Sequence, residues 1–245
     1  MSEVTLKRDG HVLIITLNRP DVLNAWNTAL IHGLHAAWKT LAADPDLRVA
    51  VLHGAGRIFT AGLDLKEVPR DGILGIPNMT VPCRKPILVA VEGAAIGYGA
   101  VTAMFADMVF AAESAYFLYP EAKMGVFQGL MGGFPGRVQY KAGLQWLLTA
   151  EKLGATRARE IGLVNEVLPD GQAFDRALEV ARKIATHAPL VVQAIKDIAL
   201  GTIPKGPMEQ NLGVNRMIEA VMSSHDAQEG MKAAQERRVA DFKGD

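Results

Sequence analysis

Two uninterrupted apolar segments stand out in the pattern of hydrophobic and polar positions along the chain. Residues 87–91 read ILVAV, and residues 48–53 read RVAVLH. Continuous apolar runs rich in β-branched residues are typical of strands buried on both faces. Each run passes directly into small residues, which are Gly54, Ala55 and Gly56 after one and Gly93, Ala94, Ala95, Gly97 and Gly99 after the other. The pattern therefore predicts two buried strands, each ending in a turn whose backbone lies close to its surroundings.

The chain before these runs predicts a β-hairpin and an amphipathic helix. Residues 4–6 and 12–17 have strand character, and Asp9-Gly10 between them is a typical hairpin turn. Asn27 is a suitable N-cap for the helix that follows. The apolar positions of this helix recur with the spacing of one helical face, at Leu30, Ile31, Leu34, Ala37, Trp38 and Leu41.

Further strand signals follow the second apolar run. Residues 65–86 contain proline and glycine breakers, so this stretch predicts a mobile loop rather than a long helix. Residues 107–112 and 163–168 predict two more strands. A strand-turn-strand pattern recurs along the chain, around residues 48–62, 87–99 and 107–119. We interpret this recurrence as successive turns of a spiral of strands and helices, in the α/β class.

Helical patterns close the chain. They lie near residues 172–187, 189–201, 207–224 and 226–241. The third of these stretches carries an apolar stripe, formed by Met217, Ile218, Val221 and Met222. A spiral core alone is not expected to cover this stripe, so we predict that an apolar helix face here needs a partner surface.

Composition narrows the class of protein. A length of 245 residues suits one large domain, or one domain with a helical appendage. The 26 basic and 26 acidic residues balance, which argues against a general nucleic-acid or anionic-membrane binder. The single cysteine, Cys83, excludes an internal disulfide and a cysteine metal cluster. Neither a signal-like N-terminus nor an apolar run of membrane-spanning length is visible, so we expect a cytoplasmic protein.

The two small-residue turns are candidates for binding an oxygen that becomes an anion. Each turn exposes backbone N–H groups, and a helix starting near Ala100 would add unpaired N–H groups and a partial positive charge. One N–H from each turn, directed at a shared oxygen, would form an oxyanion hole. Close packing of strands and helices is the competing explanation for the small residues. The fingerprint G-x-G-x-x-G is absent, so a dinucleotide site fits poorly.

Glu121 is the strongest candidate for proton transfer. It follows Tyr119-Pro120 in an apolar and aromatic run. Desolvation there would raise the pKa of its carboxyl toward the range that is useful for acid–base catalysis. The competing interpretation is a surface glutamate that starts a short helix after a proline.

The other ionisable residues give weaker signals. Acidic residues near turns or strand ends are expected to be structural, and these are Asp64, Glu92 and Asp107. His53 and Cys83 have no visible partner for nucleophilic catalysis. His32 and His35 flank the apolar helix face without other ligands at metal-site spacing, so we expect both to be solvated or packed.

Several motifs, in their order and spacing, resemble the crotonase family of enoyl-CoA hydratases and isomerases. They are Asn18-Arg19-Pro20, Leu23-Asn24-Ala25, the block FTAGLDLKE, the block EGAAIGYG, Tyr119-Pro120-Glu121, the run Ile161 to Val164, and the tail EGMKAAQERRVADFK. The resemblance spans nearly the whole chain. It implies a crotonase-type spiral of ββα turns over residues 1–186 and a helical region over residues 187–245 that builds a homotrimer, often paired into a hexamer.

The same resemblance assigns roles to individual residues. Glu121 falls on the catalytic glutamate of the family's Pro-Glu motif, and the oxyanion donors fall on the N–H groups of Leu63 and Tyr98. Many relatives have glycine where Tyr98 stands, and tyrosine tolerates a positive φ poorly. Contacts with coenzyme A, which belongs to the acyl-CoA substrate, fall on Val22, Leu23, Ala61, Lys66, Phe242 and Lys243, the last two from a tail that is expected to reach a neighbouring subunit. Asp21 stands where relatives often have a basic residue, which weakens this part of the phosphate site.

Val101 is the main departure from the family pattern. The hydratases of the family place a second glutamate at this position, and some isomerases place an acid further on, where this chain reads Gly125 to Gly129 without a carboxylate. Valine cannot transfer a proton, whereas moving a double bond needs only one carboxylate. We therefore expect Val101 to line the substrate cleft and expect isomerisation to be favoured over hydration, with no cofactor and no metal. The alternatives are a non-catalytic acyl-CoA-binding protein and a carbon–carbon hydrolase of a diketone.

Overall fold

The computed structural model describes residues 2–245, with positions 216 and 219 described by the backbone alone. The strands are β1 (Val4–Asp9), β2 (Val12–Leu17), β3 (Val49–Gly54), β4 (Ile87–Val91), β5 (Ala94–Ile96), β6 (Met108–Ala112), β7 (Tyr116–Leu118), β8 (Leu153–Gly154) and β9 (Glu166–Leu168). The α-helices are α1 (Thr28–Ala43), α2 (Tyr98–Phe105), α3 (Glu121–Met124), α4 (Tyr140–Thr149), α5 (Ala155–Glu160), α6 (Ala173–Ala185), α7 (Pro189–Thr202), α8 (Pro207–Met222) and α9 (His225–Glu236). Short 3-10 helices cover Pro20–Val22, Gly72–Gly75 and Leu130–Gly136.

The larger sheet has six strands in the order β1-β2-β3-β4-β6-β9. β1 and β2 pair antiparallel, and the other neighbours pair parallel. One face of the sheet packs on α6, and the other face belongs to the main core together with α1 and α2. The apolar runs at β3 and β4 lie between these layers, which explains why they alternate so little between apolar and polar residues.

The hairpin turn lies one residue later than predicted. Asp9 pairs with Val12 as the last pair of the ladder, so the turn residues are Gly10 and His11 rather than Asp9 and Gly10. Gly10 has a φ of 56°, a left-handed conformation that glycine adopts without steric penalty.

The prediction for α1 is confirmed in detail. The side chain of Asn27 accepts a hydrogen bond from the Leu30 N–H at 3.0 Å, which satisfies one of the unpaired donors at the start of the helix. The six residues assigned to the apolar face are the buried residues of this helix. The spacing of apolar positions was sufficient to predict the buried face, because α1 is long and its opposite face is solvated.

The stretch after β4 is more regular than predicted. Ala94–Ile96 forms β5, which pairs with β7 in a second, three-stranded sheet of order β5-β7-β8. α2 begins at Tyr98, two residues before the expected start at Ala100. Small side chains gave a turn signal here, but the main-chain hydrogen bonds of this segment are completed by tertiary pairing.

Two predictions in the middle and late chain need correction. The last strand covers only Glu166–Leu168, because the N–H groups of Leu163 and Val164 bond to the carbonyl of Ala158. The stretch 65–86 contains no α-helix, as expected, but it is anchored: the Trp38 Nε1–H donates to the carbonyl of Gly75 at 2.9 Å. α4 and α5 were not predicted, since their sequences are short and weakly periodic.

The C-terminal helices differ in how they meet the core. α6 covers one face of the larger sheet, whereas α7 and α8 carry many exposed apolar side chains. These exposed residues are Leu190, Val191, Ile195, Ile198, Val214, Met217, Ile218, Val221 and Met222. No helix in the described residues 2–245 has the length and apolar character needed to span a membrane.

A buried ion pair fastens α7 to the core. The Nζ of Lys196, which is 8% exposed, donates to the Asp107 carboxylate at 2.7 Å, and to Asn78 Oδ1 and the Lys85 carbonyl at 2.9 Å each. The same oxygen of Asp107 accepts the Ile87 N–H at 2.7 Å, at the start of β4. Asp107 therefore has a structural role, as the sequence indicated.

Replacing Lys196 with methionine is expected to lower the free energy of unfolding by about 3–5 kcal/mol. Methionine fills similar space but leaves the Asp107 carboxylate buried without its cation. Urea unfolding followed by circular dichroism measures the change. The matched control is Asp197→Asn on the exposed side of the same helix, where loss of a surface ion pair should change the free energy by less than about 1 kcal/mol. A change below about 1 kcal/mol for Lys196→Met would show that the pair does not fasten α7.

Candidate active site

The two small-residue turns meet in space, as the oxyanion-hole hypothesis requires. The segment after β3 lies alongside β5: the Thr60 N–H donates to the Ala94 carbonyl at 3.0 Å, and the Ile96 N–H donates to the Thr60 carbonyl at 3.1 Å. This short parallel bridge places the chain at Gly62 beside the chain at Gly97. Main-chain hydrogen bonds therefore hold the segment after β3 against β5.

Glycine is required where the two turns touch. Gly62 has a φ of 91°, and a Cβ at this position would lie 2.9 Å from the carbonyl oxygen of Ile96. Gly97 has a φ of 54°, and a Cβ there would lie 3.8 Å from the Cα of Gly62. A positive φ and a contact shorter than normal packing distances both exclude larger residues at Gly62. The close approach of the two backbones therefore depends on the absence of side chains.

The N–H groups of Leu63 and Tyr98 are available to a ligand. Within the described part of the chain, neither donates a hydrogen bond, whereas the neighbouring Gly62 N–H donates to Thr60 Oγ1 and the Gly97 N–H donates to the Leu118 carbonyl. Tyr98 is the first residue of α2, where a backbone N–H has no acceptor within the helix. Gly97 carries the positive φ, so the tyrosine at position 98 introduces no backbone strain.

Leu63 and Tyr98 line a pocket of about 160 Å³ that also brings Val101 and Glu121 together. Glu121 is the only charged residue in this lining, among the described residues. Val101 is 1% exposed and lies on α2, one turn after Tyr98. Val101 and Glu121 therefore line the same pocket.

Glu121 begins the short helix α3, immediately after Tyr119 and Pro120. Phe117 and Tyr119 are buried, but the glutamate itself is only half-buried, because the segment 122–128 that follows is exposed. The full desolvation expected from its apolar neighbours is thus not observed. One long hydrogen bond holds the carboxylate, donated by the Gln128 N–H at 3.4 Å.

Two phenols lie in the pocket, and sequence reasoning gave a side-chain role to neither. The ring of Tyr98 stacks on Trp26 with centroids 5.2 Å apart, and its hydroxyl donates to Gln128 Oε1 at 2.6 Å. Burial raises the pKa of the Tyr98 hydroxyl to about 12. Burial and the neighbouring Glu121 charge raise the pKa of Tyr119 still further. Both phenols therefore stay protonated at neutral pH, and the position of Tyr119 two residues before Glu121 was the available sequence signal.

The residues expected to contact coenzyme A are divided between two places. Ala61 lines the pocket, and its N–H donates to the carbonyl of Leu23 at 2.9 Å. Val22 and Lys66 are exposed and do not line it. Val22, Leu23, Ala61 and Lys66 therefore lie on chain segments that adjoin the pocket.

The tail residues do not reach the pocket of their own chain. Phe242 is exposed and its ring packs near Gly230 of α9, while the N–H of Lys243 donates to Asp226 at 2.7 Å. Within one chain, Phe242 and Lys243 therefore lie apart from the other predicted coenzyme A contacts, because the tail is hydrogen-bonded to α9.

Asp64 and Glu92 have structural contacts. Arg19 Nη1 donates to Asp64 at 3.0 Å, and this hydrogen bond is the main reason that the pKa of Asp64 is lowered. The carboxylate of Glu92 accepts the N–H groups of Gly171 and Ala173 at the start of α6. Neither carboxylate lines the pocket.

His53 and Cys83 also lie away from the pocket. His53 bonds to Thr16 Oγ1 at 2.9 Å, and burial lowers its pKa. Burial raises the pKa of the Cys83 thiol, so it remains a thiol at neutral pH. Both side chains are held by packing rather than presented to a ligand.

Comparison with known proteins identifies relatives over the full length. The profile of the family described as enoyl-CoA hydratase/isomerase matches residues 7–245. The enoyl-CoA hydratase EchA19 of Mycobacterium tuberculosis is 35% identical, over 98% of this chain and 96% of its own length. The 2,3-dehydroadipyl-CoA hydratase of Escherichia coli is 34% identical, over 100% of both chains.

Solved structures of hydratases are also similar to this chain over its full length. The crystal structure of an enoyl-CoA hydratase from Mycobacterium tuberculosis superimposes with a TM-score of 0.76 at 36% identity, over 100% of both chains. The crystal structure of a carnitinyl-CoA hydratase from Mycobacterium avium superimposes with a TM-score of 0.77 at 34% identity, again over 100% of both chains. Similarity at this level extends across whole chains.

Proposed function

Because the chain belongs to the enoyl-CoA hydratase/isomerase family of enzymes, which act on acyl-CoA thioesters, we propose that it moves a double bond of an enoyl-CoA with Glu121 as the only proton carrier. The observation that supports this choice is the pairing of Glu121 with Val101 in one pocket, to which the described residues contribute no second carboxylate. Membership of an enzyme family and the presence of Glu121 in the pocket favour catalysis over the non-catalytic alternative. The reaction needs no cofactor beyond the coenzyme A of the substrate.

The proposed reaction has two proton transfers through one enolate. Glu121 removes a proton from the α-carbon of a 3-enoyl thioester. The electrons of that C–H bond are delocalised through the carbonyl group to the thioester oxygen. The N–H groups of Leu63 and Tyr98 stabilise the oxygen while it is negative. The same proton then returns from Glu121 to the γ-carbon, which leaves the double bond between the α- and β-carbons. Each electron pair and the proton remain within the substrate and Glu121.

Hydration makes a larger demand on the site. A water must lose a proton while its oxygen attacks the β-carbon, and the α-carbon must gain a proton. The relatives named above are hydratases by name, and the resemblance places the second acid of the family's hydratases at the position of Val101. A single carboxylate can take and return one proton, but it must then also orient the water, so we propose that hydration is the slower reaction.

A paired assay on the wild type and Val101→Glu tests this proposal. We expect the wild type to interconvert 3-enoyl-CoA and 2-enoyl-CoA faster than it hydrates 2-enoyl-CoA, because only Glu121 carries protons. Val101→Glu should raise the rate of 3-hydroxyacyl-CoA formation above that of the wild type. Burying a carboxyl in this apolar position should also lower stability by about 1–3 kcal/mol. Liquid chromatography of the thioesters separates the two products.

Val101→Gln is the matched control, because glutamine has the shape and burial cost of glutamate but cannot transfer a proton. An equal gain of hydration in both variants would assign the effect to polarity rather than to acid catalysis. Efficient hydration by the wild type would contradict the single-carboxylate proposal. Activity on a diketone without coenzyme A would instead favour the carbon–carbon hydrolase alternative.

We further propose that residues 187–245 form a homotrimerisation region, and that such trimers pair into hexamers. The exposed apolar residues of α7 and α8 support this proposal, since a monomer would leave them in water. A partner subunit would also give the exposed Phe242 and Lys243 a surface to contact. The coenzyme A contacts proposed for this tail would then belong to a neighbouring active site.

A further inference from the structure

The hydroxyl of Tyr119 is buried in the candidate active site without a hydrogen-bond partner. Tyr119 follows β7 and is 6% exposed, and its hydroxyl oxygen is shielded from solvent. Within the described residues, a few buried side-chain atoms lack a partner, and Tyr119 is the one of them whose residue lines the pocket. A buried hydroxyl without a hydrogen-bond partner is unfavourable, so its position in the pocket indicates a bond that forms when a ligand is bound.

The acceptor within reach of this hydroxyl is the carboxylate of Glu121. Glu121 acts on the Tyr119 phenol through a side-chain contact and through its charge, and both raise the pKa of the phenol, although this contact lacks the geometry of a normal hydrogen bond. The other phenol of the pocket is already committed, since Tyr98 donates to Gln128 at 2.6 Å. Tyr119 is therefore the uncommitted donor beside a carboxylate that one long bond, from the Gln128 N–H at 3.4 Å, holds only loosely.

We propose that Tyr119 is a positioning residue, whose hydroxyl donates a hydrogen bond to the Glu121 carboxylate when the acyl group fills the pocket. The proposal rests on the proposed function of Glu121. Catalytic hydrogen bonds are often long in the free enzyme and shorten when substrate binds. An acyl group that displaces water from the half-buried Glu121 strengthens its bond to the phenol, because the local dielectric constant falls. One carboxylate oxygen is then held by Tyr119, and the other faces the α- and γ-carbons of the substrate. Tyr119 keeps its proton throughout.

Tyr119→Phe tests the role, because this change removes only the hydroxyl. We expect kcat to fall about 10- to 100-fold, the worth of a hydrogen bond to a charged group, and KM to change less than about 3-fold. We also expect the unfolding temperature to rise by about 2–6 °C, because an unpartnered buried hydroxyl has been removed. Slower turnover in a more stable protein distinguishes positioning from a structural role. Tyr116→Phe, in strand β7 just before Tyr119 but outside the pocket lining, is the control and should leave kcat unchanged.

A double-mutant cycle with Glu121→Gln separates positioning from direct catalysis. If Tyr119 acts through Glu121, Tyr119→Phe should change the residual rate of Glu121→Gln by less than about 2-fold. An undiminished loss in that background, an unchanged kcat in Tyr119→Phe alone, or a lowered unfolding temperature would each overturn the proposal. Full activity in Glu121→Gln would overturn the proposed function itself. An unchanged kcat in Tyr119→Phe, in an enzyme that loses activity with Glu121→Gln, would overturn only the role of Tyr119.

Discussion

Replacing Glu121 with glutamine is expected to lower kcat by about 10²- to 10⁴-fold, the range typical of a positioned acid–base residue. Glutamine has the shape of glutamate but cannot accept a proton, and within the described residues no other carboxylate lines the pocket. Affinity for acyl-CoA should be nearly unchanged, because the N–H groups of Leu63 and Tyr98 are unaffected. Steady-state kinetics with an enoyl-CoA and calorimetric titration with a saturated acyl-CoA measure the two quantities.

Glu113→Gln is the matched control for this experiment. Glu113 is exposed and lies after β6, away from the pocket, so the same loss of charge should leave kcat unchanged. A Glu121→Gln enzyme with wild-type kcat would place the proton transfer elsewhere. A large increase in the dissociation constant for acyl-CoA would instead mean that Glu121 contributes to binding.

The crotonase fold could be expected from the resemblance and is confirmed, and much of its core follows from the residues alone. β3 and β4 are continuous apolar runs, and burial on both faces produces that pattern directly. The N-cap and the buried face of α1 were predicted residue by residue, because the cap and the apolar spacing agree. β5 could not be predicted in this way, since Ala94–Ile96 becomes a strand only through pairing with β7 and with Thr60.

The candidate site was predictable where main-chain geometry defines it. Small residues after two buried strands indicated exposed N–H groups, and the structure brings those of Leu63 and Tyr98 to one pocket. The burial of Glu121 was overestimated, because sequence neighbours do not reveal that residues 122–128 leave one side open. The role proposed for Tyr119 was not predicted, since its position two residues before Glu121 is a weak signal and an unpartnered hydroxyl is a property of packing.

Since the oxyanion donors are backbone groups, no side-chain deletion removes them, and the residue that permits their approach is the one to change. Gly62→Ala is expected to lower kcat by about 10²- to 10³-fold, the loss associated with one oxyanion donor. The added Cβ would lie 2.9 Å from the Ile96 carbonyl oxygen, so the turn must move and carry the Leu63 N–H away from its position. Because the contact is with backbone, a change of rotamer cannot relieve it.

The measurement must separate this displacement from the general strain of alanine at a positive φ, which is about 1–2 kcal/mol. Gly171→Ala provides that control, since Gly171 has a φ of 82° and a Cβ there would meet nothing within 4 Å. Both variants should lose stability in thermal unfolding, but only Gly62→Ala should lose turnover, assayed below its unfolding transition. KM should change less than kcat, because an oxyanion donor stabilises mainly the charged enolate. Equal turnover in the two variants would show that the Leu63 N–H does not stabilise the enolate, and the donor would then have to be sought among the other N–H groups at the start of α2.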